Sequence, residues 1–191
     1  PATQFDLSLF GKRFGFEPQI RYSLKGKPWS YIFWWRYKVV KREKFFLNVG
    51  AHPALVFREL TVTSNGVTKD YVAAQRYVAA EVSPNYRVSK KLTMGLYYLR
   101  GHGLDRGSVT NTHFLTVNST LNNLKLAKGV YLRFAPQFYY LKQAAHSGFY
   151  FSTTTTLYSP SSPWSLGAIT NHIINTEIAG SKPLVWNLSL G

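Results

Sequence analysis

The stretch FFLNVGAHPALVFR, residues 45–58, decides the fold. Phe45, Leu47, Val49, Ala51, Pro53, Leu55 and Phe57 share one parity. Phe46, Asn48, Gly50, His52, Ala54, Val56 and Arg58 share the other. Successive side chains of a strand point to opposite faces, so this segment reads as a strand with one apolar and one mixed face. An amphipathic helix needs apolar positions three and four apart, and that spacing is almost absent along the chain.

The alternation spreads outward from there. Phe16, Pro18, Ile20, Tyr22 and Leu24 oppose Glu17, Gln19, Arg21, Ser23 and Lys25. Trp29, Tyr31, Phe33, Trp35, Tyr37 and Val39 oppose a side that holds Arg36 and Lys38. Val130, Leu132, Phe134, Pro136, Phe138 and Tyr140 oppose Tyr131, Arg133, Ala135, Gln137 and Tyr139. Eleven strands are predicted, over 4–12, 15–25, 29–41, 44–62, 67–88, 91–100, 109–122, 129–141, 147–158, 164–178 and 184–191. Short clusters rich in Gly, Pro, Asn and Ser separate them, including Lys25–Pro28, Ser64–Gly66, Gly101–Gly107, Ser159–Pro163 and Ala179–Pro183. Such clusters between alternating runs mark hairpins. No linker divides the chain, so residues 1–191 are expected to form one all-β domain, an up-and-down antiparallel meander.

Composition narrows the setting. Hydrophobic residues make up 45% and charged residues 16% of 191, where soluble domains average about 25% charged. Phe, Tyr and Trp reach 16%, which excludes a disordered chain. Cysteine is absent, which removes disulfide frameworks, thiol nucleophiles and cysteine-held metals. Residues 1–4 lack the basic start, apolar stretch and cleavage site of a signal peptide. A soluble sheet turns a face rich in Lys, Glu and Asp to water. Here the second face carries Tyr71, Tyr77, Tyr97, Tyr131, Tyr139 and Tyr150 with Gly, Ser and Thr, and the first is nearly uncharged over about ten residues, the length of a tilted membrane-crossing strand. That much apolar surface on a sheet exposed to water would aggregate. Trp29, Tyr31, Tyr37, Tyr86, Tyr98, Tyr140, Trp164 and Trp186 sit near strand ends, where headgroup-level girdles form.

The stretches LVWNLSL (184–190), VSPNYRVSKKLTMGLYYLRG (82–101) and VYLRFAPQFYY (130–140) resemble hairpins of the outer-membrane β-barrel proteins of Gram-negative bacteria, those of the Bacteroidota among them. The resemblance implies a single transmembrane β-barrel in the bacterial outer membrane. It carries over no functional residue. Barrels of this class have an even strand number, so the eleven segments point to about 12 strands with one more upstream. The turns 11–15, 41–44, 89–91, 122–129 and 159–163 share one rim, and their shortness suggests the periplasmic side. The opposite rim holds 25–28, 58–69, 101–108, 142–146 and 179–183.

Charge departs from the family's habit. Lys plus Arg total 23 against 8 Asp plus Glu, a net +15. The short-turn rim carries Lys12, Arg13, Lys41, Arg42, Lys44, Lys90, Lys91, Lys125 and Lys128 against Glu43 alone. Such a rim either solvates the membrane edge or docks onto lipid or lipopolysaccharide phosphates or another outer-membrane or periplasmic protein. Alternation places a second set inside: Arg21, Lys25, Arg36, Lys38, Arg58, Arg87 and Arg133 with Asp6, Glu17, Glu81 and Glu177. These form either a plug of paired charges or the lining of a narrow anion path.

No catalytic spacing stands out in the sequence. His52, His102, His113, His146 and His172 show no HExxH spacing, and no phosphate-loop motif is present. His146 and Ser147 are adjacent and so face opposite ways on a strand. The expectation is a non-enzyme without metal or cofactor. Two membrane roles follow: a structural or accessory subunit of an envelope complex with a largely filled lumen, or a narrow anion-leaning pore. A soluble basic β protein binding nucleic acid is the third reading. It is disfavoured because the aromatics lie on a face that excludes the basic residues, where a stacking groove would mix them.

Overall fold

The computed structural model describes residues 2–64 and 67–191, all in strands and their connections. The turn expected at Ser64–Gly66 therefore lies, at Asn65 and Gly66, outside the described residues. Twelve strands follow in order: β1 (Ala2–Asp6), β2 (Leu9–Phe10), β3 (Phe14–Ser23), β4 (Pro28–Lys41), β5 (Phe45–Ser64), β6 (Val67–Arg87), β7 (Leu92–Gly103), β8 (Thr112–Ala127), β9 (Val130–Gln143), β10 (His146–Tyr158), β11 (Ser165–Thr176) and β12 (Leu184–Leu190). From β3 onward each pairs antiparallel with the next in sequence, and β1 and β2 both pair with β3.

The extra strand comes from the segment expected at 4–12. Asp6 lies opposite Gln19 and Leu9 opposite Phe16, so β1 and β2 keep one register. The break falls opposite Pro18. Leu7 donates its N–H to the Pro18 carbonyl, but Pro18 has no N–H to return. The turn expected at 122–129 is also shorter. β8 runs on to Ala127 through register shifts after Leu121 and Lys125, with Asn123 at φ 56°. Asn tolerates that left-handed conformation. Gly129, at φ 75°, then closes the hairpin.

The sheet is an open half-barrel: among the described residues nothing pairs β1 with β12. It is one layer, so burial comes from its own curvature. Trp34, His52, Ala54, Glu81, Thr116, Tyr150 and Ser152 are buried and lie on one face, the concave one. Thr116 is 1% exposed and its neighbour Val117 52%, on the convex face. Leu96, Phe138 and Phe149 share that convex face with Val117 and are about half exposed. The apolar parity read from the sequence is the outer face, with Trp29, Tyr37, Tyr86, Trp164 and Trp186 exposed near the strand ends.

One hairpin projects. β5 and β6 stay paired to Ser64 and Val67, whereas β4 begins opposite the level of Arg58 and β7 ends opposite Tyr77. Its base is held from both sides. The Lys27 Nζ of the β3–β4 turn is 2.9 Å from Glu59, and Arg76 Nη2 is 2.6 Å from Asp105 of the β7–β8 loop.

Candidate functional site on the concave face

Arg36 of β4 stands opposite Gly50 of β5, and Gly50 opposite Glu81 of β6. Arg36 reaches across the intervening strand because Gly50 has no side chain. A Cβ there would come within 2.7 Å of Glu81 Oε1. The Arg36 Nε donates to Glu81 Oε1 at 2.6 Å, and Nη1 pairs with Glu17 of β3. The Tyr97 hydroxyl of β7 donates to Glu81 Oε2 at 2.5 Å. The guanidinium carbon lies 4.4 Å from the centre of the Trp34 ring, and that ring packs edge-on against His52 with centroids 4.0 Å apart. The Glu81 side chain is only 2% exposed. A carboxylate so enclosed persists because Arg36 and Tyr97 meet both of its oxygens. The cluster ties β3, β4, β6 and β7 together over β5.

The rest of the inward charge set is spread out. Arg21 donates its Nε to Gln4 at 2.6 Å, and Gln4 donates to Asp6 at 2.6 Å, so an amide relays Arg21 to its acid. Arg133 lies opposite Thr156 on the concave side, exposed. Lys38 and Arg87 lie on the same face nearer the rim. Arg58 sits opposite Ala73 at the root of the projecting hairpin, above the neighbouring strands. Lys25 is in the β3–β4 turn. Glu177 departs from the alternation reading. The β10–β11 register shifts after Phe149, which places Thr176 opposite Gly148 and moves Glu177 off the parity of Asn171 and Ile173, past the end of β11.

A second shift acts in the opposite sense. Between β4 and β5 the pairing runs from Lys38 opposite Asn48 to Val40 opposite Leu47 and Lys41 opposite Phe46. Strict alternation from Lys38 would turn Val40 inward and Lys41 toward the outer face. The inserted residue re-aims Lys41 onto the concave face, the known effect of a bulge. Lys38, Lys41, Arg42 and Arg87 then line a cavity of about 520 Å³ floored by Phe46 and Asn48, with Glu43 at its edge. Lys38 and Asn48 also border a cavity of about 390 Å³ that includes Arg13 and the Glu17–Arg36–Glu81 cluster. Arg87 and Glu43 border a third, of about 470 Å³, with Lys90. Among the described residues no carboxylate lies within ion-pair distance of Lys38, Lys41, Arg42 or Arg87.

The up-and-down order puts the turns bearing Lys12, Arg13, Lys41, Arg42, Lys44, Lys90, Lys91 and Lys128 on one rim, with Lys125 just inside it. Backbone bonds carry the ladder into those turns. Lys38 N–H donates to the Arg13 carbonyl at 2.9 Å, Arg87 to Lys44 at 2.7 Å and Asn122 to Lys91 at 2.8 Å. The basic turns are thus stitched side by side. Each of these cations is among those expected from the sequence, whereas Trp34, His52 and Gly50 as the frame of the cluster, and the inward turn of Lys41, are not.

An antiparallel meander with an apolar convex face and a charged concave one is the architecture of membrane β-barrels. No family model matches the chain, and no curated protein sequence matches it. Among solved structures it is similar to OmpT, an outer membrane protein of Vibrio cholerae folded in vitro. That likeness has a TM-score of 0.53 and 12% sequence identity, over 89% of this chain and 53% of that one. The chain spans about half the length of the structure it matches. The fold is that of an outer-membrane β-barrel.

Proposed function

We propose that the chain forms part of the wall of a water-filled barrel in a bacterial outer membrane, and that its concave face favours anions. The observation that carries this reading is the row of Lys38, Lys41 and Arg87 around open cavities, without a carboxylate in ion-pair reach among the described residues. Cationic side chains lining a water-filled path lower the barrier for anions and raise it for cations. The role is passage, not catalysis. Planar-bilayer recording under a salt gradient tests it. The wild type should show a reversal potential of anion sign, and Lys38→Gln/Lys41→Gln/Arg87→Gln should move that potential toward zero. An absence of conductance, or a potential indifferent to the substitutions, overturns the reading.

A structural or accessory role is the second reading. The Glu17–Arg36–Glu81–Tyr97 cluster favours it, since it braces strands with each of its charged groups held by a partner. Under it the stitched basic rim would dock on phosphates or on an acidic envelope protein.

A further inference from the structure

The apolar band of the outer face is interrupted on β7, β8 and β9. Ala80 lies opposite Arg100, Arg100 opposite His113, and His113 opposite Lys142. Three basic side chains therefore stand abreast on adjacent strands. With strands about 4.8 Å apart, the row is about 10 Å wide. Each member lies close to the long-turn rim: Arg100 near the end of β7, His113 second in β8 and Lys142 next to last in β9. His113 is fixed in place, because its Nδ1 is 2.8 Å from the Tyr98 hydroxyl. Arg100 and Lys142 are exposed.

Among the described residues no carboxylate answers this row. Among the described residues Arg100, His113 and Lys142 form no ion pair, and Asp105, the acid of the adjoining loop, is taken by Arg76. Two residues inward on the same face come Tyr98, Leu115 and Tyr140, about 7 Å closer to the membrane midplane. There an apolar groove of about 210 Å³ opens between Leu115, Val117, Phe138, Tyr140, Phe149 and Ile174. A basic row over an aromatic step and an apolar groove repeats, in order of depth, the headgroup, interface and acyl chain of an anionic lipid.

We infer that Arg100, His113 and Lys142 clasp the headgroup of a phosphomonoester lipid whose acyl chain lies in the groove below. A phosphomonoester carries more charge and more acceptor oxygens than a diester, which suits several donors converging on one group. The inference rests on the reading that the convex face meets lipid, and the test separates the two. Protein folded into phosphatidylcholine vesicles is compared with protein folded into the same vesicles doped with phosphatidic acid or with phosphatidylglycerol, and bound lipid is read by native mass spectrometry after transfer to non-ionic detergent. Wild type should retain phosphatidic acid over phosphatidylglycerol. Arg100→Gln/Lys142→Gln should lose about fivefold per charge removed, the equivalent of about 1 kcal/mol each near an anionic surface. Tyr98→Phe, which frees the His113 ring, should lose less. Lys69→Gln/Lys182→Gln removes the same net charge elsewhere on that rim and should retain the lipid. Equal loss in both double variants, or no preference for phosphatidic acid in wild type, overturns the clasp while the lipid-facing surface stands. Failure to insert into any vesicle overturns both.

Discussion

Two arginines of the concave face, Arg36 and Arg87, show what surroundings do to one side chain. Arg36 is held by Glu17 and Glu81, stacked on Trp34 and half-buried. Arg87 lies at the rim, exposed, with Lys41, Lys38 and Arg42 for company and Glu43 at a distance beyond pairing. The first is spent on architecture, since its charge is cancelled where it stands. The second keeps its charge uncancelled on the concave face, and on the pore reading proposed above it is the one that acts on solutes. Residue type alone does not separate a brace from a filter; the presence of carboxylates in reach does.

The largest effect should come from unbalancing the brace. Arg36→Gln leaves the enclosed Glu81 without its cation and should cost about 3 kcal/mol of folding stability, as removal of one partner from an enclosed ion pair does. Urea titration in liposomes measures it, and a loss no larger than that of an exposed substitution would put Arg36 in the same class as Arg87. Next comes the wall that both arginines line. Val117→Arg places a charge near mid-strand on the convex face and should cost about 2–4 kcal/mol, whereas Leu132→Arg, beside the β8–β9 turn, should cost less. Equal midpoints for the two variants would mean that the convex face does not meet a hydrocarbon core.

Lys41→Gln/Arg87→Gln sharpens the contrast from the other side. Stability should stay within about 0.5 kcal/mol of wild type, as for exposed positions, while anion preference falls. A stability loss matching that of Arg36→Gln would show a structural role for the rim cations too. The smallest effect belongs to the opposite rim, where charges do come in pairs. Hydrogen bonds from the Arg76 side chain and backbone hold the Asp105 carboxyl below its ordinary pKa. A group depressed in the folded state contributes its stabilisation above the unfolded pKa and loses it as pH falls through the folded one. The root of the β5–β6 hairpin should therefore become more susceptible to protease only below the ordinary carboxylate range. Asp105→Asn should show that susceptibility at neutral pH and no further change on acidification.

Much of this is legible in the sequence. Alternation at 45–58 and its neighbours located every strand from β3 onward, because a membrane-facing strand must keep one parity apolar along its whole crossing. The turns of the basic rim follow from the up-and-down order, and the sidedness of Glu17, Arg36 and Glu81 follows from alternation. Alternation failed where a strand takes in an extra residue. Lys41 turns inward and Glu177 leaves the inward series because of shifts after Lys38 and at Phe149–Tyr150. Nothing in the local residues announces them, since a bulge is a mismatch between two strands and not a property of one.

The sequence by itself determined the secondary structure, the greasy face and the excess of cations, all of which depend on residues near one another in the chain. The tertiary structure decided which cations find a carboxylate. Glu81 reaches Arg36 from 45 residues away, across a strand that yields only at Gly50. Register also set Arg100, His113 and Lys142 abreast, because lateral neighbours in a sheet are fixed by hydrogen bonding between strands and leave no period in the chain.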